Sequence, residues 1–260
     1  MNSVVTLISD YGYGSQYTAA LKGKIATVLP TAKVLDLCHH IEPFDVTGAA
    51  FFLKQVYANF PDGTWHFICV DTSFSLHKQL LVVESSNQFF VGADNGIFSL
   101  LFDELPTQVF CIQESMYQQD DLFPEKNVFP LVLQRYLDQK SFDGFAVAGS
   151  IKGIKKSLHP TIEENGINGT VLLIDGYQNA ITNIRKEVFE KVRAGRNFTV
   201  FYKRKQTIKK ISTHYHENGE GDELLLFNEN GYLEIAMYRG KSSQLLGLRQ
   251  GAGIVIEFEN

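Results

Sequence analysis

From Val4 to Ile8 the chain runs through the largely apolar "VVTLI" and then breaks into the polar, glycine-rich "SDYGYGSQ". A short apolar run bounded by turn formers predicts a buried strand. Beyond it Leu21, Ile25 and Val28 recur at helical spacing until Pro30 stops the pattern, which predicts a helix from Tyr17. The alternation then repeats. "KVLDLC" reads as a second strand, and Asp45 stands as the N-cap of a helix whose buried stripe includes Ala49, Leu53, Val56 and Phe60. "TWHFICV" reads as a third strand, "FFVGA" leads through "DNG" into "IFSLLF", and "TQVFCI" precedes the helical "VFPLVLQRYL". Strands separated by helices predict an α/β fold with a mainly parallel sheet and helices on both faces.

After residue 155 the pattern changes. "KKSLHPTIEENGING" is polar and rich in turn formers, and beyond it strand-like runs predominate: "TVLLID", "FTVFY", "KKISTHY", "ELLLF", "YLEIAM" and "GIVIEF". The natural division is an α/β domain over residues 1–158 and a smaller antiparallel β domain over 165–260, with a short helix around "KEVFEKVRA". No internal repeat or low-complexity tract interrupts either part.

Composition narrows the partners. The chain has 260 residues, 44% of them hydrophobic, and a formal net charge of −5, so bulk electrostatics offers no attraction to nucleic acid or an anionic membrane. The basic run "KRKQTIKK" reads as a solvated strand and turn, with no nucleic-acid motif beside it. No segment reaches the roughly 18 apolar residues of a membrane span, and the first residues lack the pattern of a signal peptide, so the expectation is a cytoplasmic protein with a small-molecule partner. Cys38, Cys69 and Cys111 are odd in number and widely spaced, which suits neither a disulfide framework nor a zinc site and predicts reduced, buried thiols. His214 and His216 alternate on an expected strand, but no third ligand accompanies them, so no metal is expected.

The loop after the first strand carries the candidate chemistry. A dinucleotide fingerprint starting at Gly12 would need its third glycine at position 17, which is Tyr17, and no GK[ST] follows. A carboxylate, Asp10, sits instead where the chain leaves the strand. Asp10, Asp36 and Asp71 each lie at or near the end of one of the first three expected strands, where open parallel sheets bind ligands, and could share one cleft. The competing role for each is to cap a following turn.

"ISDYGYGSQYTAALKGKI" resembles the TDFG…Y…KG opening of the S-adenosylmethionine hydroxide adenosyltransferase family, also called SAM hydrolases, whose relatives include fluorinase and chlorinase. Further segments resemble the family in order: "VLDLCHHIEPFDVTGAAFFL", "FPDGTWHFICVD", "FVGADNGIFS", "IDGYQNAITNI" and "NGYLEIAMYRG" with "LLGLRQG". The resemblance implies a nucleoside-binding first domain in which Asp10 accepts both ribose hydroxyls and Phe44 lies against the nucleoside. A vicinal diol suits one carboxylate, and a cationic sulfonium without phosphates needs no Walker loop. The resemblance further implies that Asp175, Tyr177 and Asn179 grip the methionine end, and that Glu234, Arg239 and Lys241 fall in the segment enclosing adenine, Lys241 replacing a usual Asn. His39 and His40 match a histidine segment near the cleft. It also implies a homotrimer with sites between subunits, and no cofactor beyond the substrate.

The implied reaction is displacement at the ribose 5′ carbon by water, giving adenosine and L-methionine. In the hydrolases an Asp, Arg and His triad is associated with that water. Asp71 matches the Asp, which also argues against halogenation, since fluorinase and chlorinase carry Tyr there. The other two positions depart from the pattern. The family's VDPGVGT-RR aligns with "VDTSFSLHKQ", so its Arg falls on Lys78 and Phe74 enters the water-binding turn. The F-H-G-R-D segment aligns with "FPEKN", which puts Pro124 where His belongs. Lys78 keeps the charge without the bidentate fork of Arg. His77 lies next to Lys78, but adjacent residues of an extended strand face opposite ways. The expected catalytic groups are therefore Asp71 and Lys78, with a non-catalytic adenosine or S-adenosylmethionine binder as the alternative.

Overall fold

The computed structural model describes residues 3–72, 79–116, 122–156, 159–203 and 206–259. The chain divides into two compact units, Met1–Lys156 and Ser157–Asn260.

In the first unit, β1 (Val4–Ser9), β2 (Lys33–Cys38), β3 (Trp65–Cys69), β4 (Leu80–Ser85), β5 (Gln88–Ala93), β6 (Gln108–Ile112) and β7 (Ala146–Ala148) form one sheet among the described residues, in the order β2-β1-β3-β5-β4-β6-β7. The pairs β1–β2, β1–β3 and β3–β5 are parallel, whereas β4–β5, β4–β6 and β6–β7 are antiparallel. The sheet is thus mixed, not mainly parallel. The cause is local: Ser86 and Asn87, at φ of 51° and 57°, join β4 to β5 by a two-residue turn, and two consecutive positive-φ residues send the chain back antiparallel.

Side-chain alternation divides the core between the two faces. Val5, Leu7 and Phe67 pack with Leu21 and Ile25 of α1 (Gln16–Val28), and with Phe129 and Leu133 beyond the sheet. Ile8, Ile68 and Phe90 pack on the other face with Ala49 and Leu53 of α2 (Val46–Val56) and Ile97 and Phe98 of α3 (Ile97–Leu101). Each fully buried side chain of this size contributes about 1.5–3 kcal/mol. Asp45 caps α2 by accepting the Gly48 N–H at 2.9 Å. The helix ends at Val56, so Phe60 lies beyond it, after a 3-10 turn over Tyr57–Asn59. Two further helices, α4 (Pro124–Asn127) and α5 (Phe129–Gln139), follow one another before β7.

In the second unit, β8 (Thr161–Glu163), β9 (Gly166–Ile174), β10 (Ala180–Arg185), β11 (Phe198–Lys203), β12 (Gln206–Ile208), β13 (Glu223–Phe227), β14 (Tyr232–Met237) and β15 (Gly253–Phe258) pair antiparallel in the order β12-β11-β15-β9-β10-β14-β13, with β8 also on β9. A bridge between Ile211 and Leu225 of β13 draws the two ends of this sheet together, giving a nearly barrel-like form. It encloses Val171, Ile184, Val200, Leu233, Ile235 and Ile254, with Phe189 of α6 (Lys186–Arg193). The short helix α7 (Ser242–Leu246) precedes β15. "KKISTHY" is not one strand: β12 stops at Ile208, and His214 instead caps a 3-10 turn over Tyr215–Glu217, its N–H donating to Glu217 at 3.1 Å.

Candidate active site

The parallel register of β1 and β3 sets Ser9 beside Cys69, so the residues that follow each strand leave the sheet at the same edge. Asp10 and Asp71 emerge there and line one cleft of about 440 Å³. Gly12 and Gly14, at φ of 82° and 73°, turn the chain between β1 and α1, and the Gly12 N–H donates to the His39 carbonyl at 2.8 Å, tying the loop to the end of β2. Ser15 then caps α1 by accepting the Tyr17 N–H.

The Asp10 carboxylate is held at one oxygen, which accepts the Phe44 N–H at 2.9 Å. Phe44 has φ of 66° and is 70% exposed, so it is no core residue; it forms part of the cleft wall. Asp71 also has a positive φ, 48°. Two non-glycine residues in the left-handed region thus line a single cleft, each at a cost of order 1 kcal/mol that the surrounding contacts must offset. At Asp71 those contacts are visible: the Asn95 side-chain amide donates to the carbonyls of Val70 and Asp71 at 3.0 and 3.1 Å. Tyr11, Tyr17 and Phe123 form an aromatic wall, with Phe123 edge-on to both tyrosines.

Sequence reasoning missed one group in this cleft. Glu125, buried to 3% exposure, accepts hydrogen bonds from the hydroxyls of Tyr11 and Thr72. Burial foremost, then the proximity of Cys69 and Glu125, pushes the Tyr11 phenol far above its ordinary value and keeps it a donor. Burial likewise pushes up the Cys69 thiol, which has no thiolate character for chemistry. Pro124 opens α4 at a position where a missing N–H is harmless, and it lines the cleft at the position where the family motif has His. Lys78, His77 and Phe74 lie outside the described residues.

Asp36 does not join Asp10 and Asp71. β2 continues past it to Cys38, and its side chain bonds Lys22 at 2.5 Å and His39 at 3.2 Å. Burial works upward on this carboxyl, but Lys22 and His39 outweigh it and hold it below its ordinary value. His39 is buried and bonds the Ser9 hydroxyl through Nδ1 at 2.7 Å, so it braces the base of the loop; His40 packs against the exposed Tyr13.

The second unit carries a cavity of about 630 Å³ lined by Tyr177, Asn179, Tyr215, Tyr238, Arg239 and Lys241, among others. Asp175 stands at its turn, with one carboxylate oxygen accepting the N–H groups of Tyr177 and Asn179 at 2.9 and 2.8 Å. Its charge therefore first organises the turn that presents Tyr177, a residue 82% exposed. Arg239 reaches Glu220 at 3.6 Å on the surface. Glu234 is buried and accepts from the Tyr215 hydroxyl at 2.9 Å; burial raises its carboxyl above the ordinary value despite that bond. Tyr215 had no signal in the sequence, since its place depends on the 3-10 turn that replaces the expected strand. Among the described residues no three His, Cys, Asp or Glu side chains are grouped to hold a metal.

Comparison with known proteins bears on both units. Residues 5–146 match the SAM hydroxide adenosyltransferase N-terminal domain and residues 169–255 match the C-terminal domain. The chain is 25% identical to a protein of Methanocaldococcus jannaschii named (R)-S-adenosyl-L-methionine hydrolase, over 94% of this chain and 92% of that one. It is also 25% identical to a protein of the same name from Thermus thermophilus, over 95% and 96% of the two chains. The crystal structure of an uncharacterized conserved protein from Thermotoga maritima superposes with a TM-score of 0.84 at 25% identity, covering 97% of this chain and 99% of that one.

Proposed function

Because this chain belongs to the SAM hydroxide adenosyltransferase family, we propose that it is an S-adenosylmethionine hydrolase that converts S-adenosylmethionine and water to adenosine and L-methionine. The observation that carries this reading is the lining of the first cleft. Asp10 and Asp71 stand there beside the aromatic walls of Tyr11, Tyr17, Phe44 and Phe123. Such a site favours a nucleoside bearing a cationic sulfonium over a nucleotide bearing phosphates.

In the proposed reaction Asp10 accepts the ribose hydroxyls and Phe44 covers the nucleoside. A water oxygen attacks the ribose 5′ carbon in line with the carbon–sulfur bond, whose electron pair leaves with sulfur, and methionine departs as a neutral thioether. The leaving group needs no proton. The water must lose one, and Asp71 is the group that holds or deprotonates it, with Lys78, at the motif Arg position, as the accompanying cation. Asp175, Tyr177, Asn179 and Arg239 belong to the methionine and adenine ends. The relatives' names specify the R form of the sulfonium, and that form is the substrate we propose here. No cofactor takes part in this scheme.

The test is chromatographic detection of adenosine and methionine from (R)-S-adenosylmethionine over hours, against a protein-free control. Adenosine above control supports hydrolysis. Binding of the ligand with a rate equal to control overturns it in favour of a binder, the reading that Pro124 in place of an imidazole favours. We further propose a cytoplasmic homotrimer, to be checked by light scattering for a mass three times the 29.3 kDa chain.

A further inference from the structure

Three positions at which this chain departs from the family motifs meet in space. Tyr11 stands where the TDFG motif has Phe, Thr72 follows Asp71 where the VDPG motif has Pro, and Glu125 stands where F-H-G-R-D has Gly. They lie 114 and 53 residues apart along the chain, yet both hydroxyls donate to the same carboxylate oxygen, Glu125 Oε1. In each motif the usual residue offers no side-chain hydrogen bond, so the three departures together create a connection that the motifs lack. The same chain carries Lys78 and Pro124 in place of the motif Arg and His.

We propose that Glu125 is a positioning residue that locks together the two loops carrying Asp10 and Asp71, and so holds the reaction geometry that the motif His and Arg would otherwise help to fix. This rests on the hydrolase reading above for its effect on rate, but not for its effect on ligand binding.

Tyr11 is next to Asp10, and Thr72 is next to Asp71. A bond from each to one buried acceptor fixes both backbones relative to each other at the edge where β1 and β3 end. The acceptor is itself anchored. Glu125 lies in the turn of α4 that runs directly into Val128 and Phe129, both fully buried in the core, and the Asn127 N–H returns to the Phe123 carbonyl at 3.1 Å. The strained backbone of Asp71 is thereby clamped from two sides, by Asn95 on its carbonyl and by Glu125 through Thr72. Hydrogen bonds from hydroxyls to a buried carboxylate are stronger than neutral ones, which suits such a clamp.

The geometry separates positioning from proton transfer. Because both donors use one oxygen, the single carbonyl oxygen of Gln can accept both bonds without the charge. Glu125→Ala should weaken adenosine binding by calorimetry at least tenfold and lower the rate of adenosine formation on the order of 10- to 100-fold, since misplacing reacting groups by about 1 Å has effects of that size. Glu125→Gln should restore both to within about threefold of wild type, as expected when the acceptor geometry persists. Tyr11→Phe should weaken adenosine more than it lowers kcat, and Thr72→Val should lower kcat more than it weakens adenosine. A merely structural Glu125 would not divide its effects in this way.

All variants are compared below their melting temperatures. If Glu125→Gln is as impaired as Glu125→Ala, the charge or a proton acts and positioning is overturned. Equal adenosine affinity and rate in Glu125→Ala and wild type overturn it as well. If wild type binds adenosine without turnover, the hydrolase reading alone fails, and the affinities of the Ala and Gln variants still decide the role of Glu125. Wild type with neither binding nor turnover overturns both.

Discussion

Acidification should destabilise the first unit through His66, a histidine with no part in the cleft. His66 is fully buried on β3, its ring stacked on Phe90 with centroids 4.7 Å apart and met edge-on by Phe60. Its protonation state follows from its partners. The Gln88 amide donates to the carbonyls of Tyr57 and Phe60, at 3.2 and 2.7 Å, which turns its oxygen toward His66 Nε2 at 2.9 Å. Nε2 therefore carries the hydrogen, and Nδ1 accepts from the Thr6 hydroxyl at 2.7 Å. A second proton on Nδ1 would displace that bond and place a charge in an apolar core. Burial accordingly lowers the pKa from 6.5 to about 4, the Gln88 bond acting weakly the other way. The unfolded chain takes up a proton near pH 6.5 while the folded chain resists until about pH 4, so stability is intact above 6.5 and is lost as the pH falls through this window. A gap of about 2.5 pH units, at about 1.36 kcal/mol each, amounts to about 3 kcal/mol.

The protein's one tryptophan makes this measurable. Trp65 precedes His66 on the same strand and stacks on Phe89 at 4.5 Å, so its fluorescence reports the first unit. In urea the wild-type midpoint should fall by about 1.5 M more than that of His66→Gln between pH 7 and pH 4, taking an m-value of about 2 kcal/mol/M. Equal pH dependence in the two proteins would refute the assignment, as would an imidazole NMR signal for His66 titrating near its ordinary value.

Other expected outcomes concern the site and its frame. Asp10→Ala should weaken adenosine by about 2 kcal/mol if two charge-assisted hydrogen bonds are lost, and unchanged calorimetric affinity would remove Asp10 from the site. Asp71→Asn should preserve adenosine affinity but lower adenosine formation by about 10² to 10⁴. Lys78→Arg should keep or raise the rate by supplying a bidentate fork, and a loss comparable to Lys78→Ala would count against that role. Gly153→Ala should destabilise the first unit by about 1–3 kcal/mol, because its Cβ would lie 2.6 Å from the Asp94 carbonyl oxygen; an unchanged midpoint in urea would contradict this.

What the sequence displayed and what it concealed differ by range of interaction. The strand leading to Asp10, the helical stripe through Leu21 and Ile25, and the Asp45 cap depend on neighbours within one turn or one strand, and all were legible. The mixed sheet was concealed because the apolar run in "LLVVES" is followed by a turn of Ser86 and Asn87, which adopts positive φ without the glycine that usually advertises it. Asp36 lies two residues before the end of β2, and its engagement by Lys22 and His39 depends on residues outside the strand that the strand pattern does not show. The Tyr11–Glu125–Thr72 cluster could not be inferred from any one segment, since its members come from three distant stretches and each is unremarkable where it stands. The motif departures were the one trace it left, visible only when the three positions are read together.

If Asp10 receives the ribose as proposed above, its hydrogen bond from the Phe44 N–H has a consequence for sugar selection. A carboxylate already tethered at one oxygen has lost its freedom to rotate before any ligand arrives, so binding need not remove that entropy again. The direction in which it can receive hydroxyls is also settled in advance. A ribonucleoside presenting two adjacent hydroxyls would meet a fixed acceptor, whereas a 2′-deoxy analogue would leave part of that acceptor unsatisfied with no side-chain rotation to compensate. The unusual backbone of Phe44 would thereby turn a common strand-end aspartate into a filter that separates ribose from deoxyribose.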